Sequence, residues 1–176
     1  MGDVISSVSA LTGLNDTAFT DSGFKLLKNR MKSEFDSGPH MSRMTSQPQG
    51  KMGGAWCPKS NASFESLDVD LQTDRTVRFI TTKGCDGREW FVRSYRLKYA
   101  TQDDVTGDVI NFRDVTDEQD CPKVFEGNTD NTGRVQHSLG KLKARYVKII
   151  PMEFEERRAL RWELYAECRQ AKSSIV

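Results

Sequence analysis

The stretch ARYVKIIPMEFEERRALRWELYAEC, residues 144–168, constrains the fold more than any other part of the chain. Residues 146–150 are rich in aromatic and β-branched side chains and run into Pro151. Proline has no N–H to give to a ladder, so a strand is expected to stop there. After a polar loop, residues 159–165 alternate. Leu160, Trp162 and Leu164 fall on one face, and Arg161, Glu163 and Tyr165 on the other. The two pieces read as the hairpin of an antiparallel β domain.

The same pattern recurs upstream. In residues 64–71, Leu67, Val69 and Leu71 share one face and Asp68 and Asp70 the other. TVRFITT (76–82), FVRSYRLKYA (91–100), residues 110–115, Val124-Phe125 and residues 135–139 read as further strands, with Phe91, Arg93, Tyr95, Leu97 and Tyr99 in step. Turn-rich segments separate them: SGPHMSRMTSQPQGKMGG (37–54), KGCDGREW (83–90), TQDDVTGDV (101–109) and TDEQDCP (116–122). About eight short strands spaced by turns predict an all-β sandwich or jelly roll. FKLLKNRMKSEF (24–35) breaks the pattern. Phe24, Leu27, Met31 and Phe35 stand at helical spacing, which predicts a short helix near the N-terminus, packed against the sandwich. Residues 1–12 read as an arm, 13–168 as one domain and 169–176 as a tail.

A chain of 176 residues suits one domain with a sizeable core. The formal net charge is +1, so no global field favours nucleic acid, and none is expected as a partner. No apolar run approaches the length that spans a bilayer, so no transmembrane segment is expected. Residues 1–14 have no basic start and no compact apolar stretch, which makes a poor signal peptide. Two sequons, Asn15-Asp-Thr17 and Asn61-Ala-Ser63, tilt slightly towards secretion. Cys57, Cys85, Cys121 and Cys168 are an even set that suggests disulfides, but four cysteines allow three pairings. There is no C-x-x-C spacing for zinc, no G-x-S-x-G elbow, no H-E-x-x-H and no phosphate-binding glycine loop. With two histidines, a His-based catalytic site is poorly supplied, and no enzymatic activity or catalytic residue is expected.

The strand wording resembles the discoidin family, the coagulation factor 5/8 type C domain. ARYVKIIP followed by ALRWELYAEC is similar to that family's closing pair, A-R-Y-[IV]-[RK]-I-x-P and L-R-x-E-L-Y-G-C. GGAWCP resembles its G-A-W motif, SLDVDLQ its L-x-V-D-L strand and ITTKG its I-x-T-Q-G. FVRSYRLKYA resembles V-x-S-[YF]-x-[LI]-x-[YF]-S, and KVFEGNTD resembles V-F-x-G-N-x-D. The motifs occur in the family's order over about residues 11–168. The resemblance implies a galactose-binding-like jelly roll with loop spikes at one end that acts as a non-catalytic binding module. Its implied ligands are a cell-surface glycan, a phospholipid headgroup, or an extracellular protein such as collagen. It implies an extracellular setting, with an intracellular scaffold of the same fold as the alternative. The family's usual cysteine near the first strand is missing here, which leaves Cys168 without its usual partner.

The implied ligand loops are 37–54 and 83–90, with 101–109 as a further candidate. On them, Arg43, Lys51, Met52, Lys83, Arg88 and Trp90 are the expected ligand contacts. Trp90, Arg88, His40 and Arg43 suit a sugar; Met44, Met52, Lys51, Lys83, Arg88 and Trp90 equally suit an anionic lipid surface. The fucose-binding branch has a His with an Arg twenty-five positions later, whereas here His40 leads to Glu65 and His137 to Trp162. In the collagen receptors an Arg follows T-Q-G, and here that place is Cys85. Asp103, Asp104 and Asp108 offer oxygens to calcium, though without EF-hand spacing; a solvated turn is the simpler reading. Trp56, Asp70, Asn128, Asp130, Arg161 and Trp162 are expected to be structural.

Overall fold

The computed structural model describes residues 8–10, 19–21, 38–48, 54–58 and 65–167. Its strands are β1 (Val8–Ala10), β2 (Phe19–Asp21), β3 (Leu67–Lys83), β4 (Phe91–Ala100), β5 (Val105–Thr106) and β6 (Val109–Ile110). They continue with β7 (Arg113–Asp114), β8 (Val124–Glu126), β9 (Val135–Glu155) and β10 (Arg161–Glu167). The main sheet has the order β1-β10-β3-β9-β4-β7, with β2 on β3 and β8 on β4, and β5-β6 forms a small ribbon. All these strand pairs are antiparallel. The expected all-β sandwich is what the chain forms.

Two strands expected in pieces are continuous. β3 runs unbroken from the Leu67–Leu71 part of the first expected run through 76–82, and β9 joins 135–139 to the segment through Pro151. Both are bent. The β3–β9 register shifts between Asp70 and Arg75, where Gln72 takes φ 67° and its N–H reaches Asp70 Oδ1 at 2.7 Å. It shifts again between Val77 and Phe79, opposite Gly140 at φ 67°. Extra residues on one strand of a pair increase local bend and twist. The bends fold the sheet over itself, so the outer arms of β3 and β9 face each other. Trp56, Leu67, Val69, Val77, Ile80, Tyr95, Leu97, Phe125, Val147, Ile149, Leu160, Trp162 and Leu164 fill the space between them. Burying a Leu- or Ile-sized side chain contributes roughly 1.5–3 kcal/mol, so this cluster dominates the stability of the domain.

Pro151 does not stop its strand. It pairs with Tyr95 at the register shift between Ser94 and Tyr95, where an extra residue leaves the missing N–H uncalled for. The same shifts in β4 move Arg93 out of step: Tyr95 and Leu97 are buried, while Arg93 is exposed. The strand expected over 110–115 is split into β6 and β7. Val8–Ala10, within the stretch read as an arm, lies along β10. The expected helix over 24–35 lies outside the described residues.

The bends also sort the loops into two poles. At the bend pole, the Gln102 N–H reaches Asp74 Oδ1 at 2.9 Å, which puts the 101–109 segment beside the turn of β3. At the opposite pole the ends of both arms meet. Asn128 donates from its backbone N–H to Val92 O at 2.8 Å and from Nδ2 to Thr82 O at 3.3 Å.

Candidate functional site at the loop pole

Four segments converge at this second pole: 38–48, 83–90, 126–133 and 155–160. Arg161 ties the first two together. Its side chain is fully buried. Nε donates to Gly84 O at 2.9 Å, and Nη1 to Ser46 O at 3.2 Å and Asp86 Oδ2 at 2.7 Å. Alternation assigned Arg161 to the outer face of its strand, and it is there, but the two loops cover that face. A buried guanidinium persists only with such partners, because an unpaired charge away from water is costly.

Asp86 also takes Lys83 Nζ at 3.1 Å. The Arg161 guanidinium, with Lys83 helping, lowers the Asp86 carboxyl from 3.8 to about 2. The folded value is below the unfolded one. This ion pair therefore stabilises the domain above about pH 4 and its contribution fades as pH falls towards 2. It amounts to about 2 kcal/mol at neutral pH. Urea titrations at pH 6 and pH 3 are expected to show that Asp86→Asn reduces the wild-type difference between the two pH values by about 1 kcal/mol; an unchanged difference would exclude Asp86 as a contributor.

The 83–90 loop is closed by its own backbone. Cys85 N–H donates to Trp90 O at 3.0 Å and Arg88 N–H to Cys85 O at 3.2 Å, with Gly87 at φ 79° in the turn. The close approach of Gly84 to the Asn131 backbone leaves no room there for a Cβ. Trp90 is half-buried. One side packs against the small cluster of Ala55, Cys85 and Ala159. Arg88 lies over the ring at 4.8 Å from its centroid and Arg157 at 5.5 Å, while Nε1 donates to Glu156 Oε2 at 2.8 Å. The indole is thus held in place with two guanidiniums against it. Beside it, Phe91, Arg93, Glu126, Gly127, Asn128 and Thr129 line a hollow of about 390 Å³, where Arg93 is ion-paired with Glu155.

Of the expected contact residues, Lys83, Arg88 and Trp90 are brought together here. Lys83 is committed to Asp86, which leaves Arg88 and Trp90 as the better-presented pair. Arg43 is half-buried; its backbone bridges to Trp162 and its charge acts on the part-buried Glu163, whose carboxyl is pushed up by burial. Lys51 and Met52 lie outside the described residues. Met44 is buried, as is Met41, so neither is an apolar tip for a lipid surface. Arg157 and Glu156 were not anticipated. The EERR run was visible, but only chain closure brings it to Trp90, 66 residues away in sequence.

The calcium candidates stand at the opposite pole. Asp104 closes its own turn, accepting from Thr101 N and Oγ1 at 2.7 and 2.8 Å, and from Arg113 at 2.7 Å. Asp103 and Asp108 are exposed, and no group of three acidic, His or Cys side chains among the described residues is placed to hold a metal ion. The expected structural residues are knitted into the frame. Trp56 exchanges backbone hydrogen bonds with Leu160, Trp162 is core, and Asp70 takes Arg145 Nε and Nη2 at 2.9 and 3.0 Å. Asn128 Nδ2 also donates to Gly133 O at 2.8 Å. Asp130 accepts from the Thr132 and Gly133 N–H groups, which hold its carboxyl below the usual range.

Residues 30–164 match the F5/8 type C domain. Among curated proteins, the chain is similar to lactadherin of Mus musculus, 37% identical over 129 residues, which cover 72% of this chain and 26% of lactadherin. It thus spans about a quarter of that relative's length. Among solved structures it is similar to discoidin II of Dictyostelium discoideum (TM-score 0.67, 21% identity, 78% of this chain and 52% of that one). It is also similar to the family 32 CBM from C. perfringens NanJ in complex with galactose (TM-score 0.54, 14% identity, 90% of this chain and 99% of that one).

Proposed function

Because the chain belongs to the F5/8 type C domain family, we propose that it is a non-catalytic binding module that takes a cell-surface carbohydrate at its loop pole, in adhesion or recognition outside the cell. The observation that carries this reading is the braced Trp90 with Arg88 and Arg157 against its ring. An ordered aromatic gives a sugar ring an apolar surface at little entropic cost, and guanidinium N–H groups supply directed donors to its oxygens. The CBM from NanJ, solved in complex with galactose, supports the same ligand class through a shared fold.

An anionic phospholipid headgroup is the second reading, favoured by the two guanidiniums. The burial of Met41 and Met44 tells against it, since insertion and charge act together at a membrane surface. No helix among the described residues is long and apolar enough to cross a membrane. A glycan array, run beside neutral and anionic liposomes with and without calcium, tests the reading. The expected result is a glycan hit that does not need calcium. Silence on the array with binding to anionic liposomes that falls with salt would replace it by the lipid reading. Silence on both would point to a protein partner or scaffold.

A further inference from the structure

The loop pole holds two cysteines whose positions are related by the backbone. Trp56 and Leu160 form an antiparallel bridge closed from both sides, at 3.1 and 2.9 Å. Carried one residue on, that register sets Cys57 across from Ala159. Residues opposite each other in an antiparallel pair point to the same side, and so do residues two apart on one strand. Ala55, Cys57 and Ala159 therefore share one side of the pair. Cys85 is buried and packs on that side, against Ala55 and Ala159.

We propose that Cys57 and Cys85 form a disulfide that pins the 54–58 segment to the 83–90 loop. Charge coupling agrees with this proximity: a thiolate on Cys57 raises the pKa of Cys85. Burial is the larger cause that pushes both thiols up, while Arg157 beside Cys57 and Arg161 beside Cys85 act the other way. Cys57 is the more exposed of the two and is the entry point. Its thiolate attacks a small-molecule disulfide such as oxidised glutathione, releasing one glutathione thiolate and leaving a mixed disulfide. The Cys85 thiolate then attacks Cys57 Sγ and releases the second glutathione. The two protein thiols each lose a proton and together pass two electrons to the oxidant. Because both thiols resist ionisation, the rate is expected to rise steeply with pH above neutrality.

The bond would fix the floor under Trp90, which rests on Ala55, Cys85 and Ala159. That consequence depends on the loop-pole site; the cross-link does not. Reduced protein is treated with oxidised glutathione at alkaline pH, alkylated and digested with trypsin without reduction. The sequence places each cysteine in its own peptide: 52–59, 84–88, 114–123 and 162–169. The expected product is peptide 52–59 joined to 84–88, with Cys121 and Cys168 alkylated and Tm raised by roughly 5–15 °C over the reduced protein. Alkylated Cys57 and Cys85, or Cys57 joined to Cys121 or Cys168, would overturn the pairing. In Cys85→Ser, Cys57 is expected to be alkylated; a new partner for it at wild-type yield would equally overturn the pairing. An intact cross-link in a protein that binds no glycan would refute the ligand reading alone.

Discussion

Arg161→Met is expected to destabilise the domain by about 3–5 kcal/mol and to lower Tm by roughly 10 °C, since removing one partner of a buried ion pair strands the other. The size follows from what is left behind. Gly84 O, Ser46 O and Asp86 all lose a donor at the junction of two loops, and a methionine fills the volume without replacing any hydrogen bond. Asp86 keeps some access to water, with its side chain 26% exposed, so the loss belongs nearer the lower bound. Two controls separate charge from volume. Arg161→Lys is expected to recover little, because a single ammonium cannot serve three acceptors on different segments. Arg161→Met with Asp86→Asn is expected to recover part of the loss, as removing both charges is far milder than orphaning one. Urea unfolding of the four proteins checks this. Wild-type stability in Arg161→Met would mean that the loops hold together without it.

Trp90→Ala combined with Arg88→Ala is expected to weaken glycan binding by at least tenfold, to the point of no signal on an array. Binding energy concentrates in a few ordered aromatic and arginine side chains, and about 1.4 kcal/mol is a factor of ten. The pair also has a structural part to separate, since one side of Trp90 packs on Ala55, Cys85 and Ala159. Trp90→Phe retains apolar packing but loses the Nε1 bond to Glu156, and Arg88→Ala alone removes an exposed guanidinium. Arg88→Ala is expected to leave Tm unchanged and still lower affinity severalfold. Wild-type affinity in the double variant would remove this pair from the site.

Much of the frame could be read from residue order because a strand with one buried face writes a period of two into the chain. Leu67, Val69 and Leu71, and Leu160, Trp162 and Leu164, are the clear cases, and all are buried. The pattern misleads where the backbone inserts a residue. The register shifts in β4 turn Arg93 away from the face of Tyr95, and the shift opposite Pro151 lets a proline sit inside a strand. It also says nothing about what covers a face, so Arg161 read as an outward residue when two loops bury it. The site was legible in one half only. KGCDGREW announced a loop with Arg88 and Trp90, whereas Arg157 and Glu156 reach that ring through chain closure, and no local pattern encodes it. The acidic loop at 101–109 carries charges in the right number for an ion, but the bends of β3 and β9 place it at the far pole.

Which pole meets the ligand is therefore the claim on which the binding role rests. Amide chemical-shift mapping during titration with the best glycan from the array addresses it directly. The account predicts that perturbed amides cluster in 83–90, 126–133 and 155–160, with the Trp90 indole N–H among the largest shifts. Perturbations centred on 70–75 and 101–110, with a silent Trp90, would contradict it.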